Sequence, residues 1–271
     1  MSNRLPTLYI PHGGGPCFFM DPMPGMPPDL WDKMAAYLRG IRASLRARPE
    51  AVVVISAHWE AARPTVSQVQ RHSLLFDYYG FPEHTYRLTY PAQGSVALAQ
   101  KVQELLARAA IDCDVDGSRG IDHGVFIPFK LIFPEADVPI VPLSLRHDLD
   151  ARAHLAIGAA LAPLREQGVL IVGSGMSYHN LREFFRQNLR ANEAARQFDQ
   201  WLATTVRLPN TAERDQALGD WQQAPGAREC HPRAEHLLPL MVAAGAARND
   251  PGQIAYCDIL LGKALSAVQF G

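Results

Sequence analysis

The run Ala51–Ala57 (AVVVISA) limits the fold more than any other stretch of this chain. It is continuously apolar and rich in β-branched residues, so it offers no wet face. Such a strand must lie inside a sheet that is covered on both sides, the arrangement of parallel sheets in α/β proteins. Gly168–Gly173 (GVLIVG) repeats the pattern. Leu5–Ile10 is a shorter apolar strand that stops at Pro11, and Pro139–Leu145 is strand-like, with Pro142 marking an edge or an irregularity. Between the strands, apolar residues recur at helical spacing. Leu30, Met34, Leu38, Ile41 and Leu45 mark a helix over 29–46, and Val96, Val102, Leu105 and Leu106 mark one over 95–110. Further helices are expected over 151–166, 191–206 and 234–247, and a last strand over 254–261. This alternation predicts an α/β fold with a mainly parallel central sheet and helices on both faces. No linker-like stretch divides the chain, so residues 1–271 are expected to form a single domain. Two Gly- and Pro-rich loops, 13–28 and 76–94, are long enough to be functional.

Composition narrows the class of function. With 26 basic and 27 acidic residues, the chain lacks the basic excess of a nucleic-acid binder. No apolar run approaches the ~18 residues needed to span a bilayer. The first residues (MSNRLPTLYIPHGGG) lack the charged, apolar and cleavage regions of a signal peptide, which gives a cytoplasmic expectation. Cys17, Cys113, Cys230 and Cys257 form no C-x-x-C pair, which fits reduced thiols rather than a zinc knuckle.

Histidine carries the chemical signal. His12 follows the first strand in PHGGGP, His58 follows the most buried strand in SAHW, and His179 follows the 168–173 strand in GSGMSYHN. Three histidines thus lie past the carboxyl ends of candidate parallel strands, the edge at which open α/β sheets bind ligands. His123 precedes an apolar helix-like stretch in GIDHG, and His231 and His236 share ECHPRAEHL. Imidazoles from separate strand ends can converge on one metal, and catalytic sites commonly use three protein ligands. Histidines left over in the same cleft suit proton transfer near neutral pH. Each histidine alone is an ordinary structural residue; the joint pattern is what points to a site. His72, His84, His147 and His154 have no such setting and are read as surface or structural. The glycine-rich loop is neither a Walker A loop nor a G-x-G-x-x-G fingerprint, and Ser174 lacks the G-x-S-x-G elbow of a serine hydrolase. Glu235 is read as a ligand or a helix cap, and Arg228 and Arg233 as solvated or as binders of a substrate carboxylate. Phe18, Phe19, Met20 and Met23 on the 13–28 loop are candidates to wall an aromatic pocket.

The motifs PHG at 11–13, SAHW at 56–59, YPAQGS at 90–95, DHG at 122–124, SYHNL at 177–181, EHLLPL at 235–240 and the terminal VQFG occur in one order along nearly the whole chain. In these it resembles the class III extradiol ring-cleaving dioxygenases of the DOPA-dioxygenase type. The resemblance implies a three-layer α/β domain. It also implies His12, His58 and His236 as metal ligands, His179 as the acid/base, and His123 as a second active-site histidine facing dioxygen or substrate. The implied reaction is extradiol opening of a catechol-type ring by dioxygen to a muconic semialdehyde, with Fe(II) as metal and zinc as the other occupant. Protocatechuate-cleaving relatives use a glutamate where His236 stands here. The implied partners are a small aromatic diol and dioxygen, without nucleic acid or membrane; a homo-oligomer is compatible with the sequence.

Two other functions fit the residues. A zinc-dependent hydrolase would use water on a three-histidine site. A non-catalytic metal-binding protein would leave His123 and His179 without work. The identity of the catechol and the roles of His231, Glu235, Arg228 and Arg233 are not legible in the sequence.

Overall fold

The computed structural model describes residues 4–271; the first three residues of the expected domain lie outside them. Eight strands form one sheet: β1 (Thr7–Pro11), β2 (Ala51–Ala61), β3 (Thr65–Ser67), β4 (Asp114–Asp116), β5 (Ile140–Arg146), β6 (Val169–Gly175), β7 (Gly252–Leu260) and β8 (Lys263–Phe270). Their order is β4-β3-β5-β2-β6-β1-β8-β7. The core of four, β5-β2-β6-β1, is wholly parallel, and β8 and β7 add an antiparallel hairpin beside β1. Residues 52–55 of β2 and 171–172 of β6 are essentially inaccessible to solvent, as a doubly covered strand requires.

Among the described residues nine α-helices accompany the sheet: α1 (Asp32–Ser44), α2 (Val96–Arg108), α3 (His123–Ile132), α4 (Ala151–Leu161), α5 (Leu181–Phe184), α6 (Leu189–Val206), α7 (Thr211–Gly219), α8 (Ala227–Cys230) and α9 (Leu238–Ala247). α9 is apolar all round and buried throughout, packed across β6 and β1 with α4 behind it. α3 covers the other face, where it meets β2, β6 and α1. Neighbouring β6 residues show the two layers directly: Gly173 abuts Pro239 at the start of α9, while Ser174 Oγ donates to the Gly124 carbonyl in α3. The expected three-layer architecture is thus present.

Three local expectations need correction. Pro142 lies not at an edge but on the interior strand β5, between β3 and β2; the irregularity it also suggests is present just beyond it, where the β2–β5 register shifts after Leu143. Ile140, two residues earlier, donates away from β2 to Gln93 O, so the donor that Pro142 lacks falls on the β3 side. There β3 joins β5 by a single pair, Val66 with Leu143, and no ladder bond is lost. The final strand is half of a hairpin that turns tightly at Leu261–Gly262. The helix expected from 234 starts at Leu238, because residues 232–237 form bends and turns.

Candidate functional site

The parallel strands end on one edge, and the histidines gather there. His12 directly follows β1, and its N–H donates to Gly175 O at the end of β6. His58 is not past its strand, as expected, but inside β2. The β2–β5 register shifts between Ile55 and Glu60, and the β2–β6 ladder stops at Ser56. The ladder therefore ends locally at His58 even though the chain stays extended. Arg119 takes up the freed carbonyl, donating to His58 O (3.1 Å) and to Asp122 Oδ2 (3.0 Å). Asp122 also accepts from Ser56 Oγ at 2.6 Å; burial raises its pKa.

His123 is the first residue of α3. The helix can start this close to β2 because residue 124 is glycine: a Cβ there would lie 2.8 Å from the His58 ring. The His123 and His58 ring centroids are 4.0 Å apart. Asp77, on the 76–94 loop, accepts from both the His123 backbone N–H (3.0 Å) and Nδ1 (2.8 Å), and its other oxygen lies 3.9 Å from His58 Nδ1.

His236 sits in the turn before α9. Its carbonyl accepts from Tyr9 Oη (2.7 Å) and Met176 N (3.1 Å), and it rests against Gly175, where any Cβ would collide with it. Its Nδ1 donates to Glu235 Oε1 at 3.0 Å. His179 lies beyond β6, with Nδ1 3.3 Å from the same oxygen. A clasp fixes this segment: His179 N donates to Cys230 O (3.0 Å), Asn180 Nδ2 to Glu229 O (2.7 Å), and His231 Nε2 to Ser177 O (2.9 Å). His231 is therefore a buried structural residue, lying between Phe198 and Trp221 and away from the cleft.

His12, His58, His123, His179 and His236 all line one cleft of about 540 Å³. Ring centroids of His12, His58 and His236 are 4.8–5.2 Å apart. The ligand atoms of His12, His58 and His123 fall within 4.8 Å of one another, and so do those of His179, Glu235 and His236. The imidazoles of His12, His58 and His236 are poised as neutral donors. Burial and then the neighbouring histidines push the pKa values of His12 and His58 well down, and burial lowers that of His236 to about 3. His12 Nδ1 donates to Gly13 O (2.8 Å), so its Nε2 presents a lone pair, 3.3 Å from His58 Nε2. His236 Nε2 is buried with no hydrogen-bond partner. Converging imidazole nitrogens, with the His12 and His236 rings oriented through their far nitrogens, are the donor set of a divalent metal site. Zinc and iron both accept imidazole, so the set fits either.

Of the residues that orient this cluster, Asp77 escaped the sequence reading and Glu235 has a role the sequence does not show. Asp77 lies in a loop without any motif. Glu235 neither caps a helix nor stands apart: it joins two rings. Burial works against its charge, but the contacts with His179 and His236 prevail and hold its carboxyl far below the usual range. Arg233 pairs bidentately with Glu60 (2.5 and 2.6 Å) and reaches Glu235 Oε2 at 3.3 Å, while Arg228 bonds Gln222; neither borders the cleft. The 13–28 loop does wall it, through Phe18, Met20 and Met23 but not Phe19. Cys17 borders the cleft as a buried thiol pushed up to about 12. His72 and His154 are buried and bond backbone groups, and His84 and His147 are exposed. Among the described residues no helix is long and apolar enough to cross a membrane.

Residues 6–259 match the family model described as the catalytic LigB subunit of aromatic ring-opening dioxygenase. The chain is 39% identical over 247 residues to a 4,5-DOPA dioxygenase extradiol of Beta vulgaris, covering 90% of this chain and 88% of the relative. It is 38% identical over 277 residues to Dioxygenase tasH of Hapsidospora irregularis, covering 95% and 82%. The crystal structure of an uncharacterized Escherichia coli K12 protein superposes with a TM-score of 0.77 at 28% identity, covering 99% of this chain and 100% of that one. The chain belongs to the LigB family of aromatic ring-opening dioxygenases, whose enzymes depend on a metal.

Proposed function

We propose that this family member works as a single catalytic domain that opens a catechol-type ring in the extradiol manner, at a metal held by His12, His58 and His236. One observation carries the reading: a converging set of neutral imidazoles shares its cleft with two further histidines that are each tied to a carboxylate through Nδ1. Those two have no purpose in a protein that only stores a metal. His236 is preferred to His123 as third ligand because its Nε2 is buried without a partner, which costs free energy unless something meets it. Fe(II) held there would relay electrons from the catechol to dioxygen, chemistry that redox-inert zinc on the same nitrogens lacks.

The chain's own groups handle position and protons. Glu235 holds His179 through Nδ1, so Nε2 is the nitrogen left to take a catechol proton, and the carboxylate stabilises the imidazolium that results. Asp77 does the same for His123, leaving its Nε2 to hydrogen-bond dioxygen or a substrate oxygen. The apolar walls keep water from the reacting ring. The product of this reading is a muconic semialdehyde.

The test is His179→Ala. The variant is expected to keep its metal and lose about 10²- to 10⁴-fold in turnover, read by semialdehyde absorbance and oxygen uptake after anaerobic Fe(II) loading. Near-wild-type turnover overturns the role of His179. Zinc as the native metal, with no oxygen uptake on any catechol after Fe(II) loading, favours the zinc hydrolase.

A further inference from the structure

The cleft is built for more than one ring. Its volume of about 540 Å³ lies in the range of roughly 300–1,000 Å³ that holds drug-sized ligands, and a bare catechol fills only the histidine floor. The outer part is apolar, walled by Phe18, Met23, Trp31 and Phe184 and continued at the mouth by Leu181 and Phe185. Trp31 and Phe184 lie parallel, 6.3 Å apart, and Phe18 meets Trp31 edge-on, so this wall is a packed aromatic surface rather than a loose loop. Leu181 and Phe185 are 63% and 49% exposed. Large apolar side chains left open at the lip of a cleft mark where a ligand provides the missing cover.

The charges argue the same way. Apart from the histidines, the charged side chains bordering the cleft are Asp21, Asp32 and Arg39, all exposed at its mouth. Two carboxylates face one guanidinium, so the entrance does not favour an anionic arm. The arginines nearest the histidine motifs are engaged elsewhere, Arg233 with Glu60 and Glu235, and Arg228 with Gln222.

We infer that the substrate is a catechol bearing a bulky uncharged apolar substituent, seated along Trp31, Phe184, Leu181 and Phe185, and not one bearing a carboxylate. The assignment rests on the catechol reading above and adds the arm. Burial of the arm strengthens binding by about two- to fourfold per methylene, the upper figure applying where the chain is fully covered.

The experiment is equilibrium binding to the anaerobic, metal-loaded protein, followed by tryptophan fluorescence. The probes are catechol, 4-ethylcatechol, 4-butylcatechol and 3,4-dihydroxybenzoate. Butylcatechol is expected to bind at least about tenfold tighter than catechol, and dihydroxybenzoate no tighter than catechol. Leu181→Ser and Phe185→Ser, both at exposed positions that leave the core intact, are expected to shrink the butylcatechol-to-catechol ratio about threefold each. A flat series, an unchanged ratio in both variants, or tighter binding of dihydroxybenzoate overturns the inference. Binding is read apart from turnover. A rising series without ring opening in air supports the apolar arm and removes the dioxygenase reading. Ring opening at equal kcat/KM across the series keeps the dioxygenase reading and removes the arm.

Discussion

His179 and His236 hang from one oxygen: both Nδ1 atoms point at Glu235 Oε1, at 3.3 and 3.0 Å, and the rings stack with centroids 3.3 Å apart. The ring proposed to move protons and the ring proposed to hold metal are thus oriented by one carboxylate. Glu235→Gln keeps the shape but removes the charge that serves both rings. Metal affinity is expected to fall about 10- to 100-fold, as when a partner behind a ligating histidine is lost, and turnover should fall with it. Chelator competition measures the first and oxygen uptake the second. Arg233→Gln, which breaks the pair with Glu60 and reaches the clasp only through Oε2, should cost less than Glu235→Gln on both readouts.

The third ligand separates two groupings that the geometry brings close. Ligand atoms of His123, His12 and His58 cluster within 4.8 Å, yet His236 has the buried partnerless Nε2. His236→Ala is therefore expected to come out of purification with substoichiometric metal, and His123→Ala with a full complement but little ring opening. Metal content by elemental analysis decides it. The reverse pattern assigns the ligand to His123.

Much of this was legible in the chain itself. β1, β2 and β6 show as apolar runs because a doubly covered strand needs no polar alternation. His12, His58, His123 and His179 stand out because glycine, proline or a strand end lies close by, and His236 through the EHLLPL motif that holds it. The rest is set by tertiary contacts that leave no local mark. β3 and β4 are three residues each, too short for a period. β8 pairs on both sides yet carries Lys263 and Gln269, and its buried Lys263 Nζ is met by the Arg186 carbonyl, a partner 77 positions away. Asp77 reaches His123 across 46 positions. Pro142 suggests an edge because sequence shows the missing donor but not which side of the strand it faces.

Gly175 tests how tightly the site depends on the sheet. Its Cα faces the His236 carbonyl, which also accepts from Tyr9 and Met176, so a methyl group there must push the His236 turn outward. Gly175→Ala is expected to destabilise the fold by about 1–3 kcal/mol, the usual cost of overpacking. The turn that carries His236 should shift, so metal affinity should drop as well. Thermal melts of metal-free and metal-loaded protein read both effects: a variant whose metal-induced rise in Tm equals that of the wild type contradicts the coupling between Gly175 and the site.

His231 gives the pH prediction. Its Nε2–H donates to Ser177 O and fixes the segment carrying His179, while its buried Nδ1 has no partner. Protonation would place an unmatched N–H⁺ in the interior, so burial lowers its pKa to about 4. In the unfolded chain the value is about 6.5. Above that pH both states are neutral at this residue and it adds no pH dependence. Between about 6.5 and 4 the unfolded chain binds a proton that the folded one refuses, so stability falls as pH falls, by on the order of 3 kcal/mol in all. Below about 4 the loss levels off. His231→Gln puts an amide donor near the Nε2 position and cannot titrate. Its stability at pH 8 should be somewhat lower than that of the wild type. The slope of unfolding free energy between pH 6.5 and 4, from urea titrations, should be shallower by about one proton. An unchanged slope means that the acid sensitivity of the fold resides in other buried histidines, His72 and His154 first, whose pKa values burial also lowers.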